Sequence, residues 1–139
     1  MPLRQEREGR PPRAAARRVP GAAGEVASLR SVLDLVPGDA RAAIFLAQIL
    51  ASHHDPALRD GAEAVRIARQ VCETSRFEHI PALDALGAAY AESGDFDKAI
   101  ESVQRAIALA QSKDQQRLAS SLSDRLRLYE QGQPFRRKP

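Results

Sequence analysis

Residues 83–109, LDALGAAYAESGDFDKAIESVQRAIAL, contain two amphipathic helical patterns joined at the short hinge SGDFD. Apolar side chains recur every three or four positions on both sides of this hinge, which is the spacing of a buried helix face. The same offsets return about forty residues earlier, and self-similarity at such a period is typical of stacked helical hairpins. The pattern therefore predicts an array of helices that binds partners rather than an enzyme fold.

The composition agrees with an all-α fold. The chain has 139 residues, of which 43% are hydrophobic, so a single domain can bury a sizeable core. It holds four Phe, two Tyr and no Trp, and this scarcity of aromatic side chains suits close helix packing better than a β-sandwich or barrel. We expect a short α-solenoid of antiparallel helical hairpins.

Basic residues are concentrated at the two ends of the chain. Residues 1–24 carry six Arg against two Glu, and residues 136–138 add three positive charges, whereas residues 25–135 hold 12 Lys or Arg against 16 Asp or Glu. Nucleic-acid binders usually cluster basic residues on the folded surface, often beside stacking aromatic rings. We therefore do not expect nucleic acid as the partner, and solvated tails are the simpler explanation of both ends.

The sequence offers little sign of reactive chemistry. Cys72 is the single cysteine, and its position on a helical pattern favours a small buried side chain over a reactive thiol. There is no catalytic order of Ser, His and Asp, no Gly-rich phosphate loop and no CxxC pair.

No apolar run approaches the ~18 residues of a membrane span, and no secretory signal is evident. We expect no cofactor, no metal, no catalysis and a cytoplasmic location.

Proline, glycine and charge divide the chain into segments. The Arg- and Pro-rich residues 1–24 are predicted to be disordered because they cannot bury enough apolar surface. Helical patterns fill residues 25–131, and a basic tail, residues 132–139, follows. Within the helical domain we predict a half-repeat at 25–37, a repeat at 40–75 with an extended loop at 53–61, a repeat at 80–111 and a capping helix at 114–131.

The later repeat resembles the tetratricopeptide repeat family, in which large apolar, small and aromatic residues occupy fixed positions on two helices. Small residues are needed at Gly87 and Ala99 because the two helices cross closely there. Val103 and Gln111 depart from the family pattern. Eight residues match it: Leu83, Leu86, Gly87, Tyr90, Gly94, Phe96, Ala99 and Ala106.

The earlier repeat matches the same pattern at Ala43, Leu46, Ala47, Leu50 and Ala64, with a hairpin turn longer by five residues. This turn is similar to an HxDPxxRDG sequence, and residues 128–136 to a closing LYxxGxPxR sequence, of longer bacterial repeat proteins, some fused to membrane glycosyltransferases. The resemblance implies a non-catalytic protein-interaction scaffold. The alternatives are the C-terminal piece of a larger enzyme and a nucleic-acid adaptor that uses the basic tails.

In this family the first helices of the repeats line a concave groove, so the resemblance implies a site for a protein or peptide partner. Members that grip a carboxylate end use Lys and Asn where Asp84 and Ala88 stand here, and that clamp is missing. A basic or apolar segment is therefore the expected ligand. The family's groove positions correspond to Arg41, Ile44, Gln48, Ser52, Asp84, Ala88, Ala91 and Glu92.

A second expected interface lies on the first helix, which has no preceding hairpin to cover it. We predict that its apolar residues Val26, Leu29 and Leu33 are exposed and mediate a homo-oligomer or docking to a partner domain.

The long turn contains His53, His54 and Asp55, which could be metal ligands or an acid and base pair. Adjacent ligands on one loop rarely complete such a site alone. We instead expect Asp55, Arg59 and Asp60 to hold the turn in one shape through hydrogen bonds.

Overall fold

The computed structural model describes residues 21–139. Within this part of the chain the regular structure is entirely helical, and the all-α prediction is confirmed. The helices are α1 (Gly21–Leu35), α2 (Ala40–Ser52), α3 (Gly61–Thr74), α4 (Ile80–Glu92), α5 (Phe96–Ser112) and α6 (Gln116–Glu130), with a 3-10 turn at Pro56–Leu58.

The first helix begins earlier than the sequence predicts. It starts at Gly21, so the last residues of the segment expected to be disordered are helical. The remainder of that segment, residues 1–20, lies outside the described residues.

Aspartate side chains satisfy free backbone N–H groups at the starts of three helices. Asp39 accepts the N–H of Ala42 at 3.0 Å, Asp60 that of Glu63 at 3.1 Å and Asp95 that of Lys98 at 3.2 Å. Such N-caps satisfy donors that no helix can satisfy internally.

Each helix packs on its neighbours in chain order. Helix α4 lies at the centre and contacts α2, α3 and α5, while α6 covers α5 and α1 packs against α2. The core is made of aliphatic and alanine side chains. A Cβ added at Gly87 would lie 3.4 Å from the Ala99 carbonyl oxygen and 3.7 Å from the Tyr129 ring. The predicted close crossing of α4 and α5 is therefore confirmed.

Candidate binding groove

A cavity of about 240 Å³ opens between α2, α4 and α6. Four of the predicted groove residues line it, namely Gln48, Ser52, Asp84 and Ala88. The first helices of the two repeats, α2 and α4, thus both contribute to this cavity. The remaining lining residues are Ala85, Arg125, Phe135 and Arg137.

Four other predicted groove residues do not line this cavity. Ile44 and Ala91 are buried, so both pack in the core. Arg41 is exposed near the start of α2, two turns before Gln48, and Glu92 is half-buried at the end of α4. Ser52 and Ala88 are buried as well, which leaves Gln48, Asp84 and Arg125 as the half-buried helical side chains around the cavity.

The chain after α6 turns back toward this cavity. Gly132 has a φ of 69°, its N–H donates to the Tyr129 carbonyl at 3.0 Å, and the Gln133 N–H donates to the Leu128 carbonyl at 2.9 Å. This is the Schellman pattern, in which a glycine with positive φ ends a helix and reverses the chain. Pro134 follows and cannot continue the helix. Residues 133–137 are called the return segment below.

Three consecutive residues of the return segment contact the groove. The Phe135 ring lies 4.3 Å from the guanidinium carbon of Arg125, and the Arg136 guanidinium lies 2.7 Å from the Glu92 carboxylate. The backbone N–H of Arg137 donates to the Ser52 carbonyl oxygen at 2.8 Å. Phe135 and Arg136 are half-buried. The expectation of a solvated tail is therefore wrong for Arg136, whereas Arg137 and Lys138 are exposed.

Asp84 is already paired within the helical domain. Its carboxylate accepts a hydrogen bond from the Arg125 guanidinium of α6, and both side chains are largely covered. Arg125 is not among the predicted site residues, although its position in the sequence indicates that it faces inward. Arg125 lies three residues after Leu122 and four before Tyr129, so all three share the inward face of α6.

Glu92 joins the long turn to the return segment. Besides Arg136, its carboxylate binds the Arg59 guanidinium at 3.3 Å. Arg59 also donates to the carbonyl oxygens of His53 at 2.7 Å and His54 at 3.3 Å. The HxDPxxRDG-like turn and the LYxxGxPxR-like end therefore converge on one carboxylate.

Comparison with protein families identifies the helical repeats of this chain. The sequence model of the tetratricopeptide repeat family matches residues 39–112, which is more than half of the chain. The chain belongs to the tetratricopeptide repeat family. No curated protein and no solved structure matches it. Tetratricopeptide repeats are in general protein–protein interaction modules and are typically non-catalytic.

The long turn of the first tetratricopeptide repeat has the predicted hydrogen-bonded shape. Asp55 accepts the N–H of Ala57 at 2.9 Å, and Asp60 caps α3. His53 ends α2, its Nδ1 accepts the Asp55 N–H at 3.0 Å, and its ring stacks on His54 with 4.2 Å between centroids. No group of three or more metal-ligating side chains occurs within residues 21–139.

The apolar surface on the half-repeat differs from the prediction. Val26, Leu29 and Leu33 are half-buried and pack against the core, since their spacing places them on the face of α1 toward α2. Other large apolar residues are exposed instead, with Leu35 83% exposed, and these are Val32, Leu35, Val36 and Phe45.

Helix α1 is also tied to the second helix of the first tetratricopeptide repeat. Arg30 donates two hydrogen bonds to the Glu63 carboxylate, at 2.7 and 2.9 Å. These bonds lower the pKa of Glu63 and raise that of Arg30. A cavity of about 530 Å³ lies between α1 and α3, with Leu33, Ile67 and Val71 among its apolar lining.

None of the helices in residues 21–139 combines the length and the apolar character that crossing a bilayer requires.

Proposed function

We propose that this tetratricopeptide repeat chain is a non-catalytic scaffold that binds a segment of a partner protein in the groove between α2, α4 and α6. The observation that carries the proposal is that a non-helical segment fits there, since Phe135 and Arg137 line the cavity and Arg136 between them binds Glu92 at the end of α4. Recognition of an extended peptide by main-chain hydrogen bonds together with side-chain contacts is a common binding mode.

Two negatively polarised features around the groove support a basic partner, although Arg125 and Arg137 line the cavity itself. Glu92, at the end of α4 outside the cavity lining, binds the Arg136 guanidinium. The last carbonyl groups of α2 are near Ser52, and no basic side chain lies in the last turn of that helix. Helix C-termini carry a partial negative charge and favour cations. A segment with arginine or lysine therefore suits this surface better than an acidic one.

Exchange of one half-buried lining residue tests the proposal. Gln48→Arg places a positive charge in the cavity. The immobilised variant should retain at least ten-fold less of each partner from a lysate of the source cells than the wild type does. Quantitative mass spectrometry measures the retained proteins. Arg41→Gln is the matched control, because Arg41 lies on the same helix outside the cavity. If both variants retained the same partners at the same level, the groove would not be the binding site.

A second surface supports self-association. Val32, Leu35 and Val36 expose apolar side chains around the end of α1, and Phe45 exposes another on α2. In an isologous dimer, the end of α1 in one copy would cover the same surface of the other. Sedimentation velocity at increasing concentration should show a dimer that Leu35→Glu abolishes. Ala23→Glu, at an exposed position more than three turns earlier on the same helix, should leave the dimer intact. A monomer at every concentration would contradict this second proposal.

The observations bear differently on the two alternatives. A nucleic-acid adaptor would need the basic residues after α6 to be free, whereas Arg136 is paired with Glu92. A role as the tail of a larger enzyme is compatible with the groove and would place the scaffold beside a catalytic domain. The cytoplasmic location stays a prediction.

A further inference from the structure

We propose that the return segment is an internal competitor for the groove, and that the partner segment displacing it carries an aromatic residue followed directly by arginine. This inference rests on the proposed function, because it names the ligand chemistry and the control of the same site. Three neighbouring contacts support it. The Phe135 ring packs on the Arg125 guanidinium, Arg136 forms an ion pair with Glu92, and the Arg137 N–H donates to the Ser52 carbonyl oxygen.

The contacts of the return segment have the character of ligand binding. Each is made by an irregular stretch outside the helices, and each uses a group that the helices leave available. The Ser52 carbonyl is one of the last carbonyls of α2, which have no partner inside the helix. The guanidinium carbon of Arg125 lies over the Phe135 ring, 4.3 Å from its centroid, which is within the range of a cation–π interaction.

The receiving groups are held in place independently of the return segment. Arg125 is fixed by its ion pair with Asp84. Glu92 is fixed by Arg59, which the carbonyl groups of the long turn hold in position. Removal of the return segment would therefore leave a prepared aromatic platform and a prepared carboxylate, and a preorganised site loses less free energy on binding.

The return segment is attached by a very short connection. The Schellman turn at Gly132 separates Phe135 from the end of α6 by only a few residues. Short connections give effective concentrations in the mM range, so an external segment must compete with a high local concentration of the internal one. The groove of the intact chain should therefore bind such a segment weakly until the internal contacts are lost.

A competition experiment on the full chain tests this inference. The probe is a fluorescein-labelled peptide with the sequence of residues 131–138, QGQPFRRK, acetylated and amidated so that its ends carry no charge. Fluorescence anisotropy compares its Kd for the wild type, for Phe135→Ala/Arg136→Ala and for Lys138→Ala. Lys138 is exposed beyond the contacting residues, so its variant is the matched control.

The double variant should bind the peptide at least ten-fold more tightly than the wild type and the Lys138→Ala control. The same peptide with Ala in place of its Phe and of the following Arg should lose that binding, and so should the double variant that also carries Glu92→Gln. Circular dichroism melts check the fold of each variant. If the double variant melted early, Arg136→Ala alone, whose side chain is partly exposed, would take its place.

Equal Kd values for the wild type and the Phe135→Ala/Arg136→Ala variant would overturn the inference. If that result came with partner loss in Gln48→Arg, the groove would still be a binding site, and only the internal competitor would be excluded. If the peptide bound as expected while Gln48→Arg kept all partners, the ligand chemistry would stand and the proposed cellular role of the groove would fail.

Discussion

Arg136 reaches from the return segment to Glu92 at the end of α4, with 2.7 Å between guanidinium and carboxylate. Arg59 approaches the same carboxylate from the long turn, at 3.3 Å. One side chain of the second tetratricopeptide repeat therefore connects the irregular turn of the first repeat to the chain that follows the capping helix. The exposed fractions of these side chains, 18% for Glu92 and 34% for Arg136, set the pair apart from the surface ion pairs of the protein.

A double-mutant cycle measures this connection. Glu92→Gln, Arg136→Gln and the combined variant should give a coupling free energy of about 1 kcal/mol, because the pair is only partly screened by water. The control is Arg69–Glu73, an exposed pair on α3 at 3.4 Å, for which we expect about 0.3 kcal/mol. Urea denaturation of each variant gives both values. A Glu92–Arg136 coupling no larger than the control would contradict this prediction.

Gly61→Ala should destabilise the protein by about 1–3 kcal/mol, the usual cost of overpacking. The new Cβ would lie 2.7 Å from Ser93 Oγ, 3.0 Å from Glu92 Cγ and 3.1 Å from the Ser93 backbone nitrogen. Gly38→Ala is the control, since its Cβ would meet nothing within 4 Å. Thermal melts compare the two variants, and a Gly61→Ala melting temperature equal to that of Gly38→Ala would contradict the close approach of α3 to α4.

Tyr129→Phe should leave the protein equally stable or stabilise it by up to about 1 kcal/mol. The Tyr129 hydroxyl is buried and has no hydrogen-bond partner among residues 21–139, and an unsatisfied buried polar group costs free energy. Burial also raises the pKa of this hydroxyl, with the nearby Asp84 carboxylate adding to the effect. Chemical denaturation gives the difference, with the half-buried Tyr90→Phe as control. A loss above about 1 kcal/mol would indicate that the hydroxyl has a partner.

The Cys72 thiol should resist alkylation at neutral pH until the protein unfolds. The side chain is fully buried, and burial raises its pKa to about 11, so the reactive thiolate is scarce. Iodoacetamide labelling followed by mass spectrometry measures the rate with and without urea. Equal rates in the two conditions would contradict the burial of this residue.

The same thiol makes stability depend on alkaline pH. An unfolded cysteine loses its proton near pH ~8.5, whereas the folded one keeps it to about 11. The unfolded state thus binds fewer protons between these values, and stability falls as pH rises through this window. The contribution is fully present below it. Cys72→Ala should lose less stability than the wild type between pH 8 and pH 10.5.

The helical parts of the fold follow from local chemistry that can be read in the sequence. Asp39 and Asp95 precede apolar helical patterns and cap them, and Gly87 and Ala99 lie where two helices cross. Each cap bonds a residue three positions later, and Gly87 and Ala99 lie on the two successive helices of one hairpin. The predicted groove residues Gln48 and Asp84 line the same cavity, because the repeat spacing determines which helix face each of them occupies.

The contacts made by the irregular segments could not be predicted in this way. The sequence predicts a solvated tail for a basic stretch after a helix. No neighbouring residue indicates that the turn at Gly132 brings Phe135 into contact with α6 and Arg136 into contact with α4. Similarly, the approach of Gly61 to Ser93 joins residues of different repeats. Such pairings depend on how the repeats stack, which the spacing within one repeat does not determine.

The measurement that tests the central claim most directly is a comparison of the amide NMR spectra of the wild type and the Phe135→Ala/Arg136→Ala variant. If the return segment occupies the groove, chemical shifts should change at Ser52, Asp84, Ala88 and Glu92 as well as in the segment itself, and the Arg137 amide should lose its protection from hydrogen exchange. Lys138→Ala should leave those groove signals in place. Changes confined to residues 133–139 would contradict an occupied groove.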